Sequence, residues 1–280
     1  MTAPEGSSFH AVRFGRSAAR YEAHASVQAR MADALLSLWG DRPAPGRILE
    51  FGCGTGLLTR RLRARFPGSA HLATDASAEM LAVAREHTRT ENERSDSYGG
   101  MPEFEVLDAR GTSASLAALQ PHAARFPVDL IASGALVQWF PDLVAHFRLA
   151  GLCAAPGAAY LVSGFARENF PELNALLSEP PFSYRAFPGH SAREVEAAAT
   201  AAGWSVTSFL TWDDTEVLPD ARAVLTRMQD LGSVRDPREG GRLTRASLAW
   251  LLNEYTHRFS VGGGVRLTWK PWAALLLRNA

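Results

Sequence analysis

Cysteine is scarce in this chain: Cys53 and Cys153 are the only two in 280 residues. Two widely separated thiols build no disulfide framework and suit a reducing compartment, and Cys53 is expected to pack rather than react. Excess charge is lacking too, with 29 Lys and Arg against 29 Asp and Glu. That balance argues against a protein that coats nucleic acid and leaves room only for a local basic face. The eight histidines show no metal-ligand spacing and no H-E-x-x-H, so no metal site is expected. A membrane span is lacking as well. The stretch 149–166 carries no charge, but Pro156-Gly157 splits it into a helix end and a new strand. The N-terminus, with Glu5, His10 and Arg13, has no apolar core of the kind a signal peptide needs, so a cytoplasmic location is expected.

What is present begins with 46% hydrophobic residues, enough to build the core of one elaborated α/β domain. The most informative run is Leu49-Glu50-Phe51-Gly52-Cys53-Gly54-Thr55-Gly56 followed by an amphipathic stretch, which reads as strand, glycine turn and helix start. Three glycines at alternate positions let the backbone bend sharply and approach a ligand closely. Dinucleotide loops are spelled G-x-G-x-x-G and seat a pyrophosphate, whereas this one is E-x-G-x-G-x-G. That spelling resembles motif I of class I S-adenosylmethionine methyltransferases. The resemblance implies that Gly52, Gly54 and Gly56 approach the cofactor and that Glu50 lies near its ammonium end.

Asp75 ends a short strand-like segment after the helix carrying Leu58, Leu62 and Phe66. An acid about twenty residues beyond a glycine loop, at the tip of the second strand, can accept both ribose hydroxyls. The same aspartate could instead cap the next helix. A third strand end, at Phe104-Glu105-Val106-Leu107, leads to Asp108, where the resemblance implies an acid against the adenine amino group; a turn aspartate is the other reading. The fourth, 128–133, runs into Gly134-Ala135-Leu136-Val137-Gln138-Trp139, which should face cofactor and substrate.

Ahead of the sheet lie Phe14, Arg16 and Tyr21, then a helix with Val27, Gln28, Met31, Leu35 and Leu38 at helical spacing. Together with Gln138-Trp139 these resemble the biotin-synthesis malonyl-acyl carrier protein O-methyltransferases (BioC-like), and the likeness extends through 210–214 to Leu267-Thr268-Trp269. Membership would imply methyl transfer from S-adenosylmethionine, leaving S-adenosylhomocysteine, to the free carboxylate of malonyl-acyl carrier protein or malonyl-CoA, giving the ester that primes pimeloyl synthesis. Tyr21 and Gln138 would line the reaction chamber and Arg16 would lie near the carboxylate or thioester arm. Tyr21 could equally anchor the N-terminal helix, Arg16 could pair with Glu22, and Trp139 reads as a packing wall. Arg235, Arg238, Arg242 and Arg245 are candidates for meeting an acidic carrier, or form a solvated helix face. A class I enzyme acting on a quinone precursor or fatty acid, or a non-catalytic cofactor-binding protein, are the alternatives. No nucleic-acid or membrane partner is expected.

The alternation of strands and helices predicts an α/β fold, a seven-stranded Rossmann-like class I methyltransferase sheet with an antiparallel last strand. Strands are expected near 47–51, 70–74, 104–107, 128–133, 158–165, 205–212 and 272–278. The expected organisation is one domain over 1–280: a helical cap over 1–45, a cofactor-binding core over 46–166, and lid insertions at 167–189 and 219–259. Two features depart from the family pattern. Trp269 stands where tyrosine is usual, and Pro271 should bulge the last strand or delay its start to Trp272. The loops 89–101 and 111–125 are long, which could move the adenine contact away from Asp108.

Overall fold

Strands buried on both faces must be apolar almost throughout, and the central ones here, 48–51, 128–133, 158–165 and 271–276, are buried nearly throughout, with Glu50 the buried charged exception. In the computed structural model, which describes residues 26–94, 100–119, 127–182, 187, 189–230 and 244–279, these strands form the centre of the molecule. Helix α1 (Ser26–Trp39) leads into β1 (Arg47–Phe51), α2 (Leu57–Arg65), β2 (Ala70–Asp75), α3 (Ala78–Arg94) and β3 (Glu103–Val106). Then come α4 (Ser113–Leu119), β4 (Val128–Ser133), a single 3-10 turn (Val137–Trp139), α5 (Leu143–Cys153) and β5 (Ala154–Phe165). The C-terminal half adds α6 (Pro171–Leu177), α7 (Ala192–Ala201), β6 (Trp204–Thr211), β7 (Asp214–Leu218), α8 (Ala221–Asp230), α9 (Arg245–Phe259), β8 (Ser260–Val261), β9 (Gly264–Trp269) and β10 (Pro271–Arg278).

Seven strands pair in the order β3-β2-β1-β4-β5-β10-β6, with only β10 antiparallel to its neighbours. The reading of a seven-stranded class I sheet with an antiparallel last strand is borne out. Alternation along each strand sorts the core into two layers. Ile48, Leu130, Leu161 and Leu275 pack under α1 and α2 with Leu35, Leu58 and Leu62. Leu49, Phe51, Ile131, Tyr160 and Trp272 point the other way, toward α5 and α7.

Three details differ from expectation. Pro271 is the first residue of β10, paired with Phe165, so its missing N–H costs no interior ladder bond; the register shift comes later, between Leu275 and Leu276. β5 starts at Ala154, ahead of Pro156-Gly157, and absorbs that pair as an irregularity against β4, with Gly157 at φ 75°. Trp269 closes β9, which belongs to a second, three-stranded sheet ordered β7-β9-β8. This small sheet was not foreseen. With α6, α8, α9 and the Val27 and Met31 side chains of α1 it surrounds another apolar cluster, centred on Phe165, Phe170 and Trp269. The Trp269 indole N–H donates to Glu216 Oε1 at 2.9 Å, so the residue that replaces tyrosine keeps a polar partner.

No helix among the described residues is long and apolar enough to cross a membrane. Nor do three or more His, Cys, Asp or Glu side chains among them form a group that could hold a metal ion.

Candidate active site

The turn after β1 is built on left-handed backbone: Gly52 has φ 66°, Gly54 55° and Gly56 85°. These conformations strain any residue with a Cβ. Gly52 is also packed shut, since a Cβ there would lie 2.7 Å from Leu136 Cδ2. Gly54 differs: a Cβ there would meet nothing within 4 Å, so its bare backbone faces open space, where a ligand could approach.

Asp75, the last residue of β2, holds that turn. Its Oδ2 accepts the Gly54 amide at 2.9 Å and its Oδ1 accepts the Ser77 amide at 2.9 Å. Capping of α3 falls to Ser77, whose Oγ accepts the Met80 amide at 3.2 Å. Burial pushes the Asp75 carboxyl above its ordinary value, and the two amides pull it back.

Glu50 sits on β1 beside the turn, 1% exposed, and neither carboxylate oxygen has a hydrogen-bond partner. A buried carboxylate left without donors is costly unless a cation stands near it. His71 of β2 is the neighbour: its Nε2 lies 3.1 Å from Glu50 Oε2, close enough for an ion pair but not aligned as a hydrogen bond. Next to them the Cys53 thiol is buried and its pKa is pushed well up, by desolvation first and then by the negative charge of Glu50 and Asp75. It packs, as expected.

Asp108 lies two residues beyond β3, close to the others because the Leu107 amide donates to the Asp75 carbonyl at 2.9 Å. Its carboxylate is already engaged, by the Arg110 amide at 3.0 Å and by the Arg110 guanidinium. An adenine contact would have to share it. The loop is anchored through a buried chain that sequence reading missed: the His146 Nδ1–H donates to the Ala109 carbonyl at 2.5 Å, and the Tyr160 hydroxyl donates to Nε2 at 2.7 Å. Nothing in the spacing of His146 and Tyr160 announces that contact.

Gln138, in the 3-10 turn after β4, is 3% exposed. Its Nε2 donates to the Ala135 carbonyl at 2.6 Å, leaving Oε1 without a partner. Gly164 of β5 makes room beside it, for a Cβ there would lie 3.2 Å from Gln138 Oε1 and 2.7 Å from the Trp272 ring. Trp272 Nε1 and Gln28 Oε1 are likewise buried and unpartnered. Trp139 packs edge-on against Phe187 at 5.3 Å, the wall expected of it. Arg16 and Tyr21 lie outside the described residues, as do Arg235, Arg238 and Arg242; Arg245 is an exposed first residue of α9.

The glycine turn, Glu50, Asp75 and Gln138 therefore gather at the carboxyl ends of β1, β2 and β4, the edge where open α/β sheets hold ligands. Strand order and turn together define a class I methyltransferase. The family described as "Methyltransferase domain" matches residues 22–209, and the chain belongs to it. Among its relatives is a malonyl-[acyl-carrier protein] O-methyltransferase of Magnetococcus marinus, 38% identical over 171 residues, covering 60% of this chain and 52% of that protein. Proteins of the same name from Geobacter sulfurreducens (27% identical; 91% of this chain, 93% of that one) and Chlorobium phaeovibrioides (29%; 95% and 95%) align nearly end to end. In fold the chain is similar to the YcgJ protein of Bacillus subtilis, with a TM-score of 0.60 at 14% identity over 90% of this chain and 99% of that one. It is also similar to the magnesium protoporphyrin IX methyltransferase of Synechocystis, solved with bound S-adenosylhomocysteine: TM-score 0.50, 14% identity, 90% and 83% coverage.

Proposed function

We propose that this methyltransferase binds S-adenosylmethionine over the glycine turn and methylates the free carboxylate of a malonyl thioester, carried by an acyl carrier protein or coenzyme A. The observation that carries the cofactor reading is Glu50: a buried carboxylate with both oxygens unpartnered, beside a turn whose Gly54 faces open space. A ligand bearing an ammonium and a ribose fits that pairing, with Glu50 taking the positive head and Asp75 the ribose hydroxyls. The acceptor reading is supported by the full-length similarity to malonyl-[acyl-carrier protein] O-methyltransferases and by the N-terminal and Gln138-Trp139 motifs.

The bound cofactor supplies an electrophilic methyl group on a sulfonium. A malonyl carboxylate is ionised near neutral pH, so no residue needs to remove a proton. What remains for the protein is alignment and exclusion of water, worth several kcal/mol. Gly52, packed on Leu136, fixes the turn against the segment that carries Gln138. In this reading Gln138, whose buried Oε1 has no hydrogen-bond partner, lines the chamber, and Trp139, packed against Phe187, forms its apolar wall. Tyr21 and Arg16 complete the acceptor side in this reading, Arg16 near the carboxylate or thioester arm.

The test is incubation of the protein with methyl-labelled S-adenosylmethionine and either malonyl-CoA or malonyl-carrier protein. A base-labile methyl ester on at least one acceptor is expected. Absence of ester on both, with labelled product on a quinone precursor or a fatty acid, would replace this acceptor with another.

A further inference from the structure

The loop that leaves β5 carries two costly features side by side. Asn169 is 0% exposed, and its Nδ2 has no hydrogen-bond partner. Phe170, the next residue, is a non-glycine held at φ 58°. A buried donor left unpaired calls for a reason, and left-handed residues with a Cβ persist only where their surroundings fix them, most often at ligand clamps. Here the surroundings do fix them. The Ala166 amide donates to the Lys270 carbonyl at 2.8 Å, the Phe170 amide to the Thr268 carbonyl at 3.1 Å, and the Lys270 amide to Asn169 Oδ1 at 2.8 Å. The last bond also orients the Asn169 amide, because a backbone N–H can only donate and so must face the oxygen. One neutral NH2 group is left, held in place and uncommitted.

The position suits the acceptor side of the site. The loop lies at the carboxyl end of β5, the edge that carries Gln138, and a run of rings joins the two: Trp139 packs on Phe187 at 5.3 Å and Phe187 on Phe170 at 5.6 Å. Phe170 also meets Trp269 at 4.5 Å, so the surroundings are apolar. The cations closest in chain to these contacts are engaged with carboxylates, Arg167 with Glu194, Arg266 with Glu172 and Lys270 with Asp213.

We propose that Asn169 is a specificity-determining residue whose Nδ2 donates to the free carboxylate of the acceptor. The inference rests on the malonyl-thioester reading above. Of that acceptor's groups the carboxylate is the strongest to donate to, since hydrogen bonds to ionised groups are roughly twice as strong as neutral ones. A neutral donor holds one carboxylate oxygen without a full ion pair, so the other keeps its nucleophilicity. The carboxylate of the cofactor is the competing occupant, and the test separates the two.

That test is binding of malonyl and acetyl thioesters to protein saturated with S-adenosylhomocysteine, so that no methyl is transferred; the acyl group rides on coenzyme A or on carrier protein, whichever supports ester formation. The two ligands differ only by the carboxylate, so damage to the fold affects both and cancels in their ratio. The unmodified protein should favour malonyl over acetyl, and Asn169→Ala should cut that preference about tenfold or more while S-adenosylhomocysteine affinity stays within about twofold. Should the variant fail to fold, nitrogen-labelled asparagine in the unmodified protein gives the answer: the Asn169 side-chain NH2 resonance should move on addition of the malonyl thioester and not of the acetyl one. An unchanged preference in Asn169→Ala, or a resonance indifferent to the carboxylate, would overturn the inference and leave the malonyl reading intact. Weaker S-adenosylhomocysteine binding in the variant with the preference unchanged would overturn it in favour of the cofactor's carboxylate. Ester formation on neither carrier would remove the acceptor reading and this inference with it.

Discussion

Asp75 ties the glycine turn to the start of α3, its two oxygens accepting the Gly54 and Ser77 amides at 2.9 Å each. One carboxylate thereby shapes the turn and is held at the open side of it. Asp75→Ala leaves two amides without their acceptor, at about 1–3 kcal/mol for each that stays buried. S-adenosylhomocysteine affinity should fall at least tenfold in this variant. Asp75→Asn keeps an acceptor oxygen and should fall between the two proteins in calorimetric titration.

The chain Tyr160-His146-Ala109 makes stability depend on pH. Burial lowers the pKa of His146 from 6.5 to about 4. The unfolded chain takes up a proton there that the folded protein refuses, so the contribution is complete above the ordinary histidine value. It is lost as pH falls from about 6.5 to about 4, and the loss integrates to about 3 kcal/mol. Denaturant unfolding at pH 7 and pH 4.5 should show a shallower acid slope in His146→Gln than in the unmodified protein. Equal slopes would mean that other groups govern the acid limb.

Gly52→Ala should strain the site twice, by its φ of 66° and by a Cβ 2.7 Å from Leu136 Cδ2. The expected cost is about 2–6 kcal/mol, since a left-handed non-glycine and an overpacked contact each contribute about 1–3. Adding Leu136→Ala removes the clash but not the backbone strain. Thermal melts of the set should therefore show coupling: the double variant loses less stability than the sum of the single ones.

Much of this arrangement is legible in the sequence, because strand burial and glycine geometry act locally. The run 47–56 announces strand, turn and helix, and Asp75 follows at a spacing the strand-helix-strand unit dictates. What was not legible depends on register across distant segments. His71 reads as one more strand residue until β1 and β2 are aligned and it meets Glu50. The small sheet was hidden because Leu267-Thr268-Trp269 and the stretch from Pro271 read as one strand, and only pairing with β7 shows that the chain changes sheets at Lys270.

Glu172 pins α6 to that small sheet: its side chain is 3% exposed and accepts the Thr268 amide at 3.1 Å and the Thr268 hydroxyl at 2.6 Å. Glu172→Ala leaves a cavity and a buried amide and hydroxyl without their acceptor, a loss of about 2–5 kcal/mol. Hydrogen exchange should speed up in β9 and α6 while β1 and β4 keep their protection. Uniform acceleration across the large sheet would show that the two sheets open as a single unit.

The central claim, a cofactor seated on the bare backbone at Gly54 between Glu50 and Asp75, is tested most directly by equilibrium dialysis of labelled S-adenosylmethionine against the folded protein. The account predicts one molecule bound per chain, displaced by S-adenosylhomocysteine and greatly weakened in Asp75→Ala. Folded protein that retains no label, or retains it equally in Asp75→Ala, would contradict it.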